Sequence, residues 1–231
     1  MPGNGSLSLD PRLSMIARLV GPCESCADIG CDHGRLGAFL IQSGQCDRVV
    51  LTDISEPSLA KARALTEHLG LVERVDFAVA DGIPRWERPP RAVVIAGMGG
   101  ATICDILHEG RERLGGARLI LQPNVAAPQL RGALSHLGYA VTAERIAQDG
   151  RRCYVIIAAE PGASKYGPRE RVVGPVLLRD MPKELIPYAR FRLRVTEKAL
   201  KGAVRGADAA QQRALSEELS IWREVCAWLQ R

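Results

Sequence analysis

The sequence predicts an α/β fold whose parallel sheet is closed by an antiparallel hairpin, and three observations carry that prediction. Apolar runs of strand length alternate with amphipathic helical patterns from the start of the chain to about residue 160. The stretch Cys26-Ala-Asp-Ile-Gly-Cys-Asp-His-Gly-Arg-Leu-Gly37 reads as a strand that breaks into a glycine turn and then a helix. That geometry brings backbone N–H groups and a helix N-terminus close to a nucleotide-like ligand. Asp149-Gly150 separates two further strand-like runs, Tyr139–Gln148 and Arg151–Ala159, which is a hairpin signal where the alternation ends.

Taken in order, Asp10 caps and Pro11 opens a first helix that runs to Val20 with apolar residues at helical spacing. A strand follows at about 25–30, then a helix over Arg35–Ser43. A second strand occupies 47–53, and Ser55-Glu-Pro-Ser opens a helix that ends at Gly70. Strands are predicted near 74–80 and 91–96. Ala92-Val-Val-Ile-Ala96 is continuously apolar, as a strand buried on both faces is. Gly97-Met-Gly-Gly100 turns into a helix to about His108, Arg118–Gln122 is a fifth strand, and Pro128–Leu137 is a helix closed by Gly138. The two hairpin strands bring the sheet to seven.

Prolines, glycines and charges crowd the segment from Glu160 to Pro182, which reads as a linker or crossing segment. Beyond it, Glu184–Val204 and Asp208–Leu229 read as two helices separated by Gly206, with apolar stripes suited to an antiparallel pair. The predicted organisation is therefore a ligand-binding α/β domain over 1–160, a crossing segment over 161–182 and a helical hairpin over 183–231.

With 231 residues the chain can bury one full core and carry a small appendage. A hydrophobic fraction of 46% with 25% charged residues is that of a soluble globular protein, and no run approaches a membrane span. The net charge of +5 permits a nucleic-acid partner without requiring one. Seven cysteines have no framework spacing, and an odd number of thiols suits a reducing cytoplasm. Cys23-Glu-Ser-Cys26 looks like half a zinc site but has no second half, so no metal is expected.

The glycines at 30, 34 and 37 do not have the Gly-x-Gly-x-x-Gly spacing of a dinucleotide site. Asp32 stands where that fingerprint would admit a pyrophosphate, and a carboxylate there repels phosphate. Asp28 and Asp32 together suit a ligand with an amine, positive charge and no phosphate, a description that S-adenosylmethionine meets. Asp53, followed by Ile54, ends the second strand where an acid takes ribose hydroxyls in such folds. Asp81-Gly82 ends the third strand in reach of an adenine edge. Gly97 follows the fourth strand, where absent side chains let a substrate come close, and Met98 is either an apolar wall for that substrate or core filling. Asn124 taken alone is a turn residue after the fifth strand or a polar contact for a substrate.

Ala27-Asp-Ile-Gly-Cys-Asp-His33, Ile95-Ala-Gly-Met-Gly-Gly100 and Leu119-Ile-Leu-Gln-Pro-Asn124 occur in that order. Together they resemble the bacterial tRNA adenine-22 N1-methyltransferases, with Asp53 in place of an expected Glu. The resemblance implies a class I methyltransferase (Rossmann-like) sheet with a terminal antiparallel hairpin and a coiled-coil-like helical C-terminal domain. It also implies S-adenosylmethionine as cofactor and tRNA as partner; no membrane or metal is expected from the sequence, and the oligomeric state stays open, with a monomer favoured. On this reading Asp28, Gly30, His33, Asp53, Ile54, Asp81, Gly82, Gly97 and Met98 hold the cofactor, while Asp32, Met98 and Asn124 face the reacting base. Arg12, Arg35, Arg151, Arg152, Lys165, Arg169 and Arg171 are candidate phosphate contacts. Arg190, Arg192, Arg194, Lys198, Lys201 and Arg205 load the first C-terminal helix, which either grips tRNA or simply covers the core. The alternatives are a same-fold methyltransferase on a small molecule or protein, and a catalytically silent RNA-binding protein.

Overall fold

The computed structural model describes residues 7–203 and 209–229; Gly206, expected between the last two helices, lies outside them. Five parallel strands and one antiparallel hairpin form a sheet in the order β3-β2-β1-β4-β5-β7-β6. These are β1 (Cys23–Ile29), β2 (Cys46–Asp53), β3 (Val75–Val79), β4 (Ala92–Met98), β5 (Arg118–Pro123), β6 (Tyr139–Asp149) and β7 (Arg152–Pro161). The chain lays β2 and β3 on one side of β1, then returns to place β4 on the other. That reversal opens a crevice beyond the C-terminal ends of β1 and β4, where open α/β sheets bind ligands. β7 runs antiparallel to β5 and slots between it and β6, so the last hairpin closes the sheet.

Alternate residues of the central strands go to opposite faces, because the side-chain period of a strand is two. Ala27 and Ile29, Val93 and Ile95, Leu119 and Leu121 enter one apolar cluster. Cys26, Val94 and Ile120 enter the other. The second cluster is covered by α1 (Pro11–Val20), α2 (Arg35–Gln42) and α3 (Glu56–His68). Across the sheet, α4 (Gly100–Glu109) and α5 (Ala127–His136) pack with the C-terminal helices. Local chemistry fixes the ends: Asp10 Oδ1 accepts the Leu13 N–H at 2.7 Å and Ser55 Oγ the Ser58 N–H at 3.3 Å.

Two expectations change. Strand β4 does not stop at 96 but continues through Gly97 to Met98, with a bulge between Ala96 and Met98 where the register with β5 shifts. The stretch 161–182, expected as a linker or crossing segment, carries two short helices, α6 (Pro168–Val173) and α7 (Pro175–Asp180), whose Val172, Val173, Val176 and Leu177 are buried. A fully buried ion pair explains their order. Arg131 of α5 donates from Nε to Glu144 of β6 at 2.8 Å, and its other nitrogens donate to the carbonyls of Arg171, Val172 and Val173 that α6 leaves unpaired. Glu144 in turn accepts the N–H groups of Val176 and Leu177 at the start of α7. An i, i+4 pattern of apolar residues over so few positions is too short to reveal such helices in sequence.

The last two helices, α8 (Leu185–Ala203) and α9 (Ala209–Trp228), form the expected hairpin. Leu185, Tyr188, Trp222 and Val225 lie in the same apolar cluster as Val155 and Ile157 of β7, so the hairpin is built into the α/β core. No described helix is long and apolar enough to cross a membrane.

Candidate active site

β1 ends at the switch point in Gly30, whose φ of +70° lets the chain turn sharply over β2. The N–H groups of Gly30 and Cys31 both donate to the Thr52 carbonyl, at 2.8 and 2.9 Å. Asp32 holds a left-handed backbone (φ 50°), and its N–H donates to Asp53 Oδ2 at 3.0 Å. Asp53 Oδ1 accepts the Ser55 N–H at 2.9 Å. The acid expected for ribose thus also ties the glycine turn to the end of β2, with one lone pair of each oxygen still available. His33 Nδ1 lies 2.6 Å from Asp32 Oδ2, and both side chains are exposed.

Across the crevice, the bulge of β4 is held by a polar hub. Gln122, fully buried, accepts from the Gly97 N–H at 3.2 Å and from Arg12 at 3.0 Å, and donates to Asn124 Oδ1 at 3.1 Å. Asn124 Nδ2 donates to the Gly97 carbonyl at 2.7 Å, and its backbone N–H donates to the Met98 carbonyl at 2.8 Å. The Asn124 amide therefore clamps the ends of β4 and β5 together, and its exposed side keeps one N–H and one lone pair. Met98 reaches back over Gly30, whose missing side chain is what admits its methyl group. Gly100, at the start of α4, is equally constrained, since a Cβ there would meet the carbonyls of Val125 and Ala126 at 2.7 and 2.6 Å.

A cleft of about 410 Å³ lies between these turns, lined by Arg12, Asp28, Gly30, Asp32, His33, Gly97 and Met98 among others. Burial pushes the Asp28 carboxyl up to about 7, with Asp53 adding to the rise and the Arg12 guanidinium opposing it. Arg12 also lies over the Tyr154 ring, 5.8 Å from its centroid. Arg12, expected as a phosphate contact, has its guanidinium on Gln122 and the Tyr154 ring and is half-buried. Cys31, next to the turn, is buried and its thiol is pushed up by desolvation, so it is held as a neutral thiol.

The remaining expected residues sit along the same edge without lining this cleft. Ile54 is 68% exposed just beyond Asp53, and Val79, its strand neighbour's partner in register, is 58% exposed. Asp81 is exposed two residues past the end of β3, and Gly82 has φ +81°. Among the described residues no group of three or more His, Cys, Asp or Glu side chains is placed to hold a metal ion. Arg12, Gln122, Val79 and Tyr154 are the residues that sequence reasoning missed in this setting. Gln122 was visible only as the first residue of Gln-Pro-Asn, while an arginine on the first helix gave no sign of reaching the sheet edge.

The family model described as a methyltransferase domain matches residues 9–157. The tRNA (adenine(22)-N(1))-methyltransferase of Bacillus subtilis is 29% identical over 227 residues, covering 95% of this chain and 95% of its own length. A Mycoplasma pneumoniae protein named provisionally as a tRNA methyltransferase is 31% identical over 184 residues, covering 76% of this chain and 84% of its own. Among solved structures, Streptococcus pneumoniae Sp1610, provisionally a tRNA (m1A22) methyltransferase and crystallised with S-adenosyl-L-methionine, is similar at a TM-score of 0.83 and 27% identity. It covers 95% of this chain and 100% of its own. On sheet order and matched domain, this chain belongs to the methyltransferase domain family, and the relatives it resembles over most of its length are named as tRNA methyltransferases.

Proposed function

We propose that this chain methylates N1 of adenine 22 in tRNA, with S-adenosylmethionine as methyl donor. The observation that carries the reading is the cleft at the switch point between β1 and β4, where a buried acid and a cation stand together. The donor's amino-acid end presents an ammonium and a carboxylate side by side, and Asp28 and Arg12 supply the opposite charges. The volume of about 410 Å³ also suits a ligand of that size. Asp53 has acceptor capacity left for ribose hydroxyls, and Ile54 and Val79 offer exposed apolar surface to an adenine ring. Asp81 and Gly82 stand at the same edge for the base's polar rim. His33 is held by Asp32 at the mouth of the cleft.

The bound cofactor supplies a methyl group on a positively charged sulfur that is open to in-line attack. Adenine N1 brings a lone pair and no proton, so the chain needs no general base. Its task is to bring the base within about 3–3.5 Å of the methyl group and to tolerate the positive charge the base acquires. The bulge at Gly97 keeps side chains out of the approach, and Met98 packs as its apolar wall. Asn124 fixes the shape of that bulge, which makes it a positioning residue. The exposed carboxylate of Asp32 favours the charge that develops on the base.

We read the chain as a monomer acting on tRNA in a reducing cytoplasm, a setting that seven unpaired thiols suit. The experiment is nucleoside mass spectrometry of tRNA transcripts carrying adenine or guanine at position 22, incubated with the protein and S-adenosylmethionine. 1-Methyladenosine in the first alone is the expected result; equal yield from both transcripts removes the position assignment, and none from either removes the activity.

A further inference from the structure

A second cavity, of about 370 Å³, lies beside the polar hub. It adjoins the cofactor cleft through residues in direct contact. Gly97 and Met98 line the first, Asn124 lines the second, and the Asn124 amide is bonded directly to the Gly97 carbonyl at 2.7 Å. Arg12 of the first cavity lies over the ring of Tyr154, which lines the second. A group seated against Asn124 in the second cavity is therefore next to the Gly97 bulge that lines the cleft.

The lining has a definite chemical character. The whole chain has only three Trp, four Tyr and three Phe, yet Tyr154, Tyr188 and Phe191 all line this one cavity. Tyr188 is buried and packs edge-on against Trp222 at 5.7 Å, so it is wall. Tyr154 and Phe191 are only partly buried and leave ring surface to a ligand. The charges present are cationic: Arg152 is exposed, and Arg192 donates to Glu218 at 2.7 Å while its enclosed Nε makes no hydrogen bond. Among the described residues, no acidic side chain lines the cavity. Flat aromatic surface, a polar amide at the back and cations at the rim suit one planar, anionic ligand, a nucleotide.

We infer that this cavity receives the target nucleotide of the RNA after it leaves its stack. The base lies against Tyr154 and Phe191 with its N1 edge turned past Asn124 into the cleft, and Arg152 meets the backbone phosphate. The inference rests on the methyl-transfer reading and adds to it a substrate pocket of which α8 is a wall. The C-terminal hairpin then has a part in presenting the base, beyond any general attraction for tRNA. A base inside folded tRNA must be unstacked first, and contact with an aromatic ring offsets that cost.

The test combines three variants, Phe191→Ala, Phe191→Tyr and Arg152→Gln, with three measurements. These are calorimetric affinity for S-adenosylmethionine, tRNA affinity across a salt series, and the single-turnover methylation rate at saturating tRNA. Phe191→Ala is expected to lower the single-turnover rate about tenfold or more, in line with the loss of one stacked base, with cofactor affinity unchanged. Phe191→Tyr restores the rate, because it keeps the ring. Arg152→Gln weakens tRNA binding and reduces the salt slope by about one contact's share. The pocket assignment is overturned if Phe191→Ala methylates at the wild-type rate, if alanine and tyrosine at 191 lose activity equally, or if Phe191→Ala also loses cofactor affinity. A wild-type protein that methylates no tRNA sinks the underlying reading instead, and that result is distinct from all three.

Discussion

Asp28 shows how far a single residue's chemistry is set by its place. Its folded pKa of about 7 lies above the ordinary 3.8, chiefly through burial. The native state therefore keeps a proton between those values that the unfolded chain releases. The stabilisation from this group is full below the unfolded pKa and is lost as pH rises through about 7. A cationic ligand reverses the preference by favouring the carboxylate. Binding of S-adenosylmethionine at about pH 6 should then expel the Asp28 proton, and affinity should climb with pH until it levels off above about 7. Calorimetry in buffers of differing ionisation heat reads that proton; an Asp28→Asn protein that releases as many protons as wild type would falsify the assignment. The adjacent glycines separate in the same way. Gly99 has an ordinary φ of −67° and room for a Cβ, with Thr102 Oγ1 the nearest atom at 3.7 Å, so Gly99→Ala should fold with an unchanged thermal transition. Gly100→Ala drives a methyl group into two backbone carbonyls. It should cost about 1–3 kcal/mol, and an unchanged melting temperature would show that α4 shifts freely.

At the scale of elements, the Arg131–Glu144 pair holds α5, β6, α6 and α7 in one arrangement. Both side chains are fully buried, and each also satisfies backbone groups at a helix end. Removing one charge from such a pair strands the other, at about 3–5 kcal/mol. In a chain of this size about 2–4 °C of melting temperature accompanies each kcal/mol. Glu144→Gln should therefore melt markedly earlier than wild type, and a change of under about 2 °C would mean that the helices hold without the pair. Gly174 belongs to the same device. It has φ +122°, and a side chain there would collide with the Glu144 carboxylate. The Pro- and Gly-rich composition of 161–182 signalled a break in regular structure and was right about the chain's turns. The turns, however, are packed around a buried ion pair 13 residues apart in sequence, and no local pattern encodes that.

For the whole molecule, the C-terminal hairpin sets what can be tested cleanly. Because Tyr188, Trp222 and Val225 share the core of the sheet, cutting the chain after 182 would expose that core as well as remove cations. Surface substitutions separate the two effects. Arg190, Arg194 and Lys198 are exposed, whereas Arg192 is turned inward to Glu218. Replacing the exposed three by glutamine should leave the melting temperature and cofactor affinity alone and flatten the salt dependence of tRNA binding. An unaltered salt slope would leave the hairpin as a cover for the core and a wall of the base pocket.

The sequence by itself determined the strands, most helix starts, the closing hairpin and the acids at the sheet edge. Period-two and period-3.6 patterns, Pro11, the Asp10 and Ser55 caps and the glycine turns are all local signals. The three motifs also pointed to the right family, since each marks the end of a central strand. Tertiary structure alone decided how those ends are used. It brought Arg12 from the first helix onto Asp28 and Tyr154, spent the Asn124 amide on the Gly97 bulge, and buried Gln122 as the hub between them. These partners come from distant parts of the chain, and which hydrogen bond a side chain makes depends on what stands opposite once the sheet has formed.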